Sequence, residues 1–184
     1  MTQPELTDRE CVRRSQAGER DAFNLLVRRH QDRLYRFLLR LVSSHEEALE
    51  LTQDTFIKAW QALPDWRPDA EFRTWLFRIG SNMAMDCLRR RKVVEFVAID
   101  EDYDAPSGAA GPEAQLQTKQ RLRALEIALR RLPHDQREIV LLRELEDMSY
   151  GEIGAVLGIN EGTVKSRLAR AREALIEYRR RTNA

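Results

Sequence analysis

The chain has 184 residues, with 31 Lys or Arg against 30 Asp or Glu, so its formal net charge is +1. This near-balance argues against a uniformly basic nucleic-acid-binding protein. No apolar run approaches the ~20 residues of a membrane-spanning helix, and the polar N-terminus lacks the apolar core of a signal peptide. We therefore expect a cytoplasmic protein that does not insert directly into a membrane.

Charge is distributed unevenly along the chain. Residues 1–94 hold 17 basic and 14 acidic side chains, residues 95–118 hold 0 and 6, and residues 119–184 hold 14 and 10. This distribution indicates two mildly basic halves joined by an acidic segment. Cys11 and Cys87 lie far apart without metal-type spacing, and the three histidines are scattered. We expect reduced thiols rather than a disulfide, and neither a metal site nor a cofactor.

Helices are predicted throughout the first half, from apolar residues at three- and four-residue spacing. A short first helix starts at a Thr7–Glu10 capping box and ends at Gly18. A second helix covers about 21–42, a third follows a Ser44 cap and runs to about 63, and a fourth covers about 71–92. The residues predicted to face inward on the third helix are Leu49, Phe56, Ile57, Trp60 and Leu63.

The opposite face of the third helix groups Leu51 with Asp54 and Lys58. An exposed leucine among charges either anchors a protein contact or is one of the isolated apolar residues common on surfaces. The sequence leaves both readings open.

A loop with two prolines, residues 64–69, precedes the fourth helix and contains Trp66. Asn82 and Asp86 lie at the edge of that helix's apolar stripe, with Arg78 and Arg89 just outside them. Aromatic side chains can stack on unpaired bases, so this grouping favours nucleic acid. The helix ends in four basic residues, 89–92, which either bind phosphate or only complement the helix dipole.

The helical pattern stops between residue 93 and about residue 111, where acidic residues, prolines and glycines predict a flexible linker. Roughly twenty residues span at most about 65–70 Å. Helices resume near Pro112, one is stopped by Pro133, and another covers about 135–145.

Residues 149–181 have the pattern of a helix-turn-helix. Ser149 and Glu152 predict a capping box, Gly158 a helix end, and Asn160 the cap of a second helix. The inner face of that second helix consists of Val164, Leu168, Ala171 and Leu175. The outer face is basic and short-polar, which is typical of a DNA-reading helix. A helical hairpin with a solvated charged face is the alternative.

The order of these motifs resembles bacterial RNA polymerase sigma factors of the extracytoplasmic-function (ECF) group, within the sigma-70 superfamily. The resemblance covers nearly the whole chain and is strongest over residues 54–60, 72–79, 149–153 and 162–172. It implies an all-α fold with two small helical domains of four helices each. These would cover residues 1–94 and 113–184, joined by the acidic flexible linker at 95–112.

The resemblance also implies roles for three groups of residues. Those that would dock on polymerase are Leu51, Gln53, Asp54 and Lys58. Those that would capture a flipped base and hold the strand at the −10 element are Trp66, Arg78, Asn82, Asp86 and Arg89. Those that would enter the major groove at the −35 element are Thr163, Lys165, Ser166, Arg167 and Arg170.

The implied partners are core RNA polymerase, promoter DNA and a membrane-anchored anti-sigma factor, and the implied role is transcription initiation rather than catalysis. Two alternatives come from other classes of protein. One is a conventional helix-turn-helix regulator that acts without polymerase, usually as a dimer on a palindrome. The other is a hydrolase using Asp54, Asp65, Asp69 or Asp86, but no histidine, serine or glycine loop accompanies these carboxylates.

Overall fold

The helices of the first half begin and end close to their predicted positions. The computed structural model describes residues 6–67, 69–94 and 124–182. The predicted linker at 95–112 and the predicted helix start near Pro112 lie outside the described residues. The first half contains α1 (Asp8–Gln16), α2 (Arg20–Val42), α3 (His45–Ala62), a 3₁₀ turn (Leu63–Asp65) and α4 (Phe72–Val94).

The second half is also helical. Residues 124–131 form α5. It is followed by α6 (His134–Val140), which continues into a π turn (Leu141–Leu145), then by α7 (Tyr150–Leu157) and α8 (Glu161–Thr182). Every regular element in the described ranges is helical, so the predicted all-α class is confirmed.

Local capping accounts for where the first helices start and stop. The Thr7 hydroxyl accepts the Glu10 amide at 3.3 Å, and Gly18 has a φ of +96° just after α1. The predicted capping box at Thr7 is only half formed, because the Glu10 carboxylate binds Arg13 and Arg14 instead, at 2.8 and 3.0 Å. Local rules therefore place the helix ends, while neighbouring charges decide the details.

The buried face of α3 differs from the predicted one. Leu49 is 44% exposed, Ile57 53% and Trp60 37%, so three of the five residues predicted to face inward do not lie in the core. Leu51, predicted to be exposed, is buried with only 8% of its surface accessible. The residues of α3 that are buried are Ala48, Leu51, Thr52, Thr55, Phe56 and Ala59.

Small and hydroxyl-bearing side chains explain this choice of face. The Thr52 hydroxyl donates to the Ala48 carbonyl and the Thr55 hydroxyl to the Leu51 carbonyl, both at 2.6 Å. Buried hydroxyls that are hydrogen-bonded carry little penalty. Gly80 on α4 lies opposite, where an added Cβ would come within 3.4 Å of the Thr55 hydroxyl. The helices thus approach more closely than a leucine-rich face would allow.

The two halves of the chain are in direct contact. α7 packs along α4, while α6 and the π turn pack against α2. Phe77 from the first half and Leu142 and Met148 from the second are fully buried in one continuous apolar cluster. Cys11, which is buried, and Cys87, which is half-buried, are both free thiols. The structure is therefore a closed arrangement of the two predicted domains.

Candidate nucleic-acid and polymerase interfaces

The predicted helix-turn-helix is confirmed in detail. The Ser149 hydroxyl accepts the Glu152 amide at 3.2 Å, and the Glu152 carboxylate accepts the Ser149 amide at 2.8 Å, which completes the capping box. Gly158 ends α7 with a φ of +66°. The Asn160 side-chain oxygen accepts the Thr163 amide at 2.8 Å and so caps α8. Four local interactions therefore set the angle between the two helices.

A close backbone approach holds the turn against α7. The Ile159 amide donates to the Gly154 carbonyl at 3.1 Å. A Cβ added to Gly154 would lie 2.7 Å from the Ile159 carbonyl oxygen, which is closer than any side chain allows. Val164 and Leu168 of α8 are buried beneath this turn, as predicted from their spacing. Glycine at position 154 is thus required by packing and not by its backbone angles.

The outer face of α8 is only partly free to meet a ligand. Lys165, Ser166 and Arg170 are exposed, whereas Thr163 and Arg167 are half-buried. The Thr163 hydroxyl donates to the Asn160 oxygen at 3.1 Å, and the Ser166 hydroxyl donates to the Thr163 carbonyl at 3.1 Å. Of the five residues predicted to enter the major groove, α8 therefore presents to solvent an ammonium, a hydroxyl and a guanidinium.

A pocket of about 320 Å³ opens at the loop before α4. Trp66 forms one wall and stacks on Trp75, with ring centroids 4.8 Å apart and planes 23° apart. Phe72 meets the Trp66 ring edge-on at 6.0 Å. The residues that line the pocket are Asp65, Trp66, Arg67, Asp69, Ala70, Thr74, Trp75, Arg78 and Ala155. Stacked aromatic walls with a polar rim suit a planar, unstacked base.

The structure brings together only two of the five residues predicted at the −10 element. Trp66 and Arg78 line the pocket, whereas Asn82, Asp86 and Arg89 are exposed further along α4 and do not. Asp86 and Arg89 form an ion pair with each other. The four residues on α4, at positions 78, 82, 86 and 89, lie on one side of that helix and form a track leading away from the pocket.

Sequence reasoning missed several residues of the pocket. Trp75 is the stacking partner of Trp66, but its spacing marks it only as an inward-facing residue. Thr74 and Arg67 also line the pocket. The available signal was one tryptophan in the loop and another in the first turn of α4, since aromatic side chains that are near each other gain energy by stacking.

The predicted polymerase-docking group on α3 is divided. Gln53, Asp54 and Lys58 are exposed, but Leu51, predicted to be exposed beside them, is buried. Ile57, which lies beside Lys58 and one turn after Asp54, is the exposed apolar side chain on this face. The predicted combination of an apolar residue among charges therefore exists, with Ile57 in place of Leu51.

Charged contacts fasten the second half to the first. Arg73 of α4 donates to the Glu146 carbonyl at 3.0 Å and pairs with the Glu152 carboxylate at 3.3 Å. The buried Glu146 carboxylate also pairs with Arg33 of α2, at 3.1 Å. Burial raises the pKa of Glu146, while Arg33 and Arg73 oppose that shift. Ala155 of α7 reaches the aromatic pocket, so α7 covers part of the candidate base site.

A second set of contacts between the halves involves buried polar groups. Arg137 of α6 donates to the Leu41 carbonyl at 2.9 Å, and burial lowers its pKa to about 10, so it stays charged at neutral pH. Glu138 forms a hydrogen bond with Ser81 of α4. Burial raises the pKa of Glu138 to about 7, against smaller opposing effects of Ser81 and Arg167.

Among the described residues, no group of His, Cys, Asp and Glu side chains is arranged to hold a metal ion. None of the described helices combines the length and the apolarity needed to span a bilayer. A helix-turn-helix, an aromatic pocket and an exposed charged helix face together describe a helical protein with two candidate sites for nucleic acid.

Comparison with known proteins identifies the family. The profile of Sigma-70 region 2 matches residues 26–93, and that of Sigma-70 region 4 matches residues 122–175. The ECF RNA polymerase sigma-E factor of Salmonella typhimurium is 37% identical over 179 residues, which is 93% of each chain. The chain belongs to the ECF RNA polymerase sigma factors, a family of transcription-initiation factors rather than enzymes.

Two further relatives extend the comparison. The ECF RNA polymerase sigma factor SigE of Mycolicibacterium smegmatis is 43% identical over 155 residues, and the match spans 83% of this chain and 60% of that relative. The sigma factor RpoE of Bartonella quintana, solved with the anti-sigma factor NepR, has a TM-score of 0.71 and 29% identity, covering 86% of this chain and 96% of that one. Because the matches include both halves, a conventional regulator with only a C-terminal helix-turn-helix is not favoured.

Proposed function

We propose that this sigma factor directs core RNA polymerase to promoters by reading two DNA elements with two different chemistries. The observation that carries the proposal is the presence, on one chain, of a basic recognition helix and a separate stacked aromatic pocket. A recognition helix reads duplex DNA, whereas an aromatic pocket accepts a base only after it has left the stack.

The −35 element is assigned to α8. Lys165, Ser166 and Arg170 supply donors suited to base edges and phosphates, and Arg170 can bond the two acceptors of a guanine. Thr163 and Arg167 are less accessible, so we expect them to orient the helix or touch the backbone at its edge. Each good base contact contributes ~1–3 kcal/mol of discrimination.

The −10 element is assigned to the aromatic pocket and the track on α4. Trp66 would stack on a flipped base, and Arg78 at the pocket wall would hold the adjoining phosphate. Asn82, Asp86 and Arg89 follow along the helix and would meet the next part of the strand. Stacking supplies ~1–3 kcal/mol per base, which offsets part of the cost of flipping it.

Polymerase docking is assigned to the exposed face of α3. Gln53, Asp54 and Lys58 surround Ile57, and a small apolar anchor within a polar rim is the usual composition of a protein interface. We place the protein in the cytoplasm, since that is where bacterial RNA polymerase works.

The closed arrangement supports a need for a conformational change. The two promoter elements lie about one and a half DNA turns apart, roughly 50 Å. Here α7 packs directly on α4 and reaches the pocket through Ala155. The two promoter elements therefore cannot be read at the same time in this state. We propose that core polymerase selects a separated form and that an anti-sigma factor stabilises the closed one.

Run-off transcription with core polymerase tests the assignments. Promoters are first selected from a randomised library with the wild-type holoenzyme. Arg170→Ala should then lose preference at the −35 element and Trp66→Ala at the −10 element, each by about 5- to 150-fold. Asp54→Lys should weaken assembly with core polymerase. The matched control for Arg170→Ala is Arg180→Ala, which removes an exposed arginine at the far end of α8.

Three results would contradict the proposal. One is the absence of promoter-dependent transcript from wild-type holoenzyme. Another is tight binding of the free protein to duplex promoter DNA, which would restore the conventional regulator. The third is an Arg170→Ala variant that behaves like Arg180→Ala at every promoter position.

A further inference from the structure

The loop that carries Trp66 is short and has few backbone hydrogen bonds of its own. After the 3₁₀ turn, the Trp66 amide donates to the Leu63 carbonyl at 3.2 Å, and the chain then leaves helical geometry. Leu63 is fully buried and anchors one end of the loop, whereas Trp66 is only half-buried. Something outside the loop must therefore fix the position of the Trp66 backbone.

Gln16, the last residue of α1, makes that contact. Its side-chain amide nitrogen donates to the Leu63 carbonyl at 3.0 Å and to the Trp66 carbonyl at 2.9 Å. One NH₂ group thus uses both hydrogens on two carbonyls that lie three residues apart. The two bonds close the turn from outside and tie it to α1.

The helix that carries Gln16 is itself firmly held. Cys11 and Val12 are buried in the core, and the buried Ser15 hydroxyl donates to the Cys11 carbonyl at 2.7 Å. The backbone of α1 is therefore fixed in position, and so is the point from which the Gln16 side chain extends. The chain turns away immediately afterwards, at Gly18, which leaves the Gln16 side chain free to point at the loop.

The chemistry of the contact is specific to glutamine. Glutamate has the same length but no hydrogens to donate, and leucine has similar size without polar atoms. Asparagine is one methylene shorter and would have to draw the loop towards α1. The Trp66 carbonyl is one of the two acceptors. The position of Gln16 therefore fixes the Trp66 backbone, from which the indole side chain extends.

We propose that Gln16 is a positioning residue for base capture: its amide holds the Leu63 and Trp66 carbonyls so that the Trp66 indole stays stacked on Trp75 and the pocket stays open to a flipped base. This inference rests on the proposed function of the pocket. Gln16 itself is exposed on the surface of α1, and its two hydrogen bonds to the loop go to backbone oxygens. It therefore acts through Trp66.

The size of the effect follows from the type of bond. Partly exposed hydrogen bonds between neutral groups add little to overall stability. Their loss should hardly change the melting temperature but should let the loop leave the productive geometry. We expect Gln16→Leu to weaken −10 recognition about tenfold, the change that corresponds to 1.4 kcal/mol.

The test uses reconstituted holoenzyme and a promoter with 2-aminopurine at each non-template position of the −10 element in turn. The fluorescence of this base rises when it leaves the stack and falls when it is then stacked on an indole. The position-specific signal is this fall, at the −10 position whose base Trp66 captures. Four variants are compared: Gln16→Leu, Gln16→Glu, Trp66→Ala and the control Gln61→Leu, an exposed glutamine on α3 beside the same turn.

The inference predicts that both Gln16 variants lose the position-specific signal and about tenfold in discrimination between −10 sequences. The −35 preference, the melting temperature and the Gln61→Leu variant should stay unchanged. If Trp66→Ala abolishes the signal and Gln16→Leu behaves like Gln61→Leu, the role of Gln16 is wrong and the pocket assignment stands.

Two other outcomes are also decisive. If wild-type holoenzyme gives no position-specific signal, or if Trp66→Ala is without effect, the proposed function of the pocket fails. If Gln16→Leu lowers the melting temperature and weakens both promoter elements equally, Gln16 is only structural and the inference is overturned.

Discussion

The buried carboxyl of Glu138 makes the closed form sensitive to pH. It lies between α6 and α4, is 4% exposed and forms a hydrogen bond with Ser81. Arg167 from α8 favours the charged form of Glu138, whereas Asp135, which lies on α6 with Glu138, opposes it. Burial, together with Asp135, outweighs the opposing effects of Ser81 and Arg167, and the pKa of Glu138 is about 7 instead of 4.5.

The sign follows from proton linkage. Between pH 4.5 and 7 the closed, folded state keeps the proton on Glu138 while the unfolded chain has lost it. Stability due to this group is therefore fully present below pH 4.5 and is lost as pH rises to about 7. The difference of about 2.5 pKa units corresponds to ~3 kcal/mol at 1.36 kcal/mol per unit.

Glu138→Gln removes this dependence, because an amide cannot ionise. We expect urea unfolding, followed by far-ultraviolet circular dichroism at pH 5, 6, 7 and 8, to show that the wild type loses up to ~3 kcal/mol more than the variant. Glu173→Gln, an exposed carboxyl on α8, is the control and should follow the wild type. Parallel pH curves for wild type and Glu138→Gln would refute the buried neutral carboxyl.

Two further predictions concern the helix-turn-helix and the contact between the halves. Gly154→Ala forces a Cβ against the Ile159 carbonyl and should destabilise the fold by ~1–3 kcal/mol, measured as a lower melting temperature. Gly151→Ala, in the same helix, is the control. Its Cβ meets only the end of a flexible side chain, so it should not destabilise the fold. Equal melting of the two variants would contradict this. Arg73→Ala removes the ion pair with Glu152 and should loosen the closed form, giving a larger radius of gyration in small-angle scattering and tighter assembly with polymerase. An unchanged radius would mean that this pair does not hold the halves together.

Much of the second half could be predicted because its determinants are local. Each determinant acts within four residues, so its spacing alone predicts the geometry. These determinants are the pair Ser149 and Glu152, then Gly158, then the pair Asn160 and Thr163. The same reasoning placed the helices of the first half to within about two residues. Helix ends are decided by nearby hydrogen bonds, and these are legible in a sequence.

The buried face of α3 could not be predicted in this way. Apolar periodicity favoured Leu49, Ile57 and Trp60, but the helix turns its alanines and threonines inward. That choice depends on Gly80 of α4, which allows a close approach, and on threonine hydroxyls that bond to their own helix. The first condition lies outside α3, and the second only permits the threonines to face inward without requiring it.

The sequence by itself therefore determined the helices, the helix-turn-helix and the family, because capping, periodicity and motif order are properties of short segments. Only the tertiary structure decided which charges meet. Arg73 contacts Glu152, which lies 79 residues later in the chain, and Gln16 contacts Trp66, which lies 50 residues later. Such contacts depend on where whole helices come to rest, and the energy that places them is the burial of a core shared by both halves.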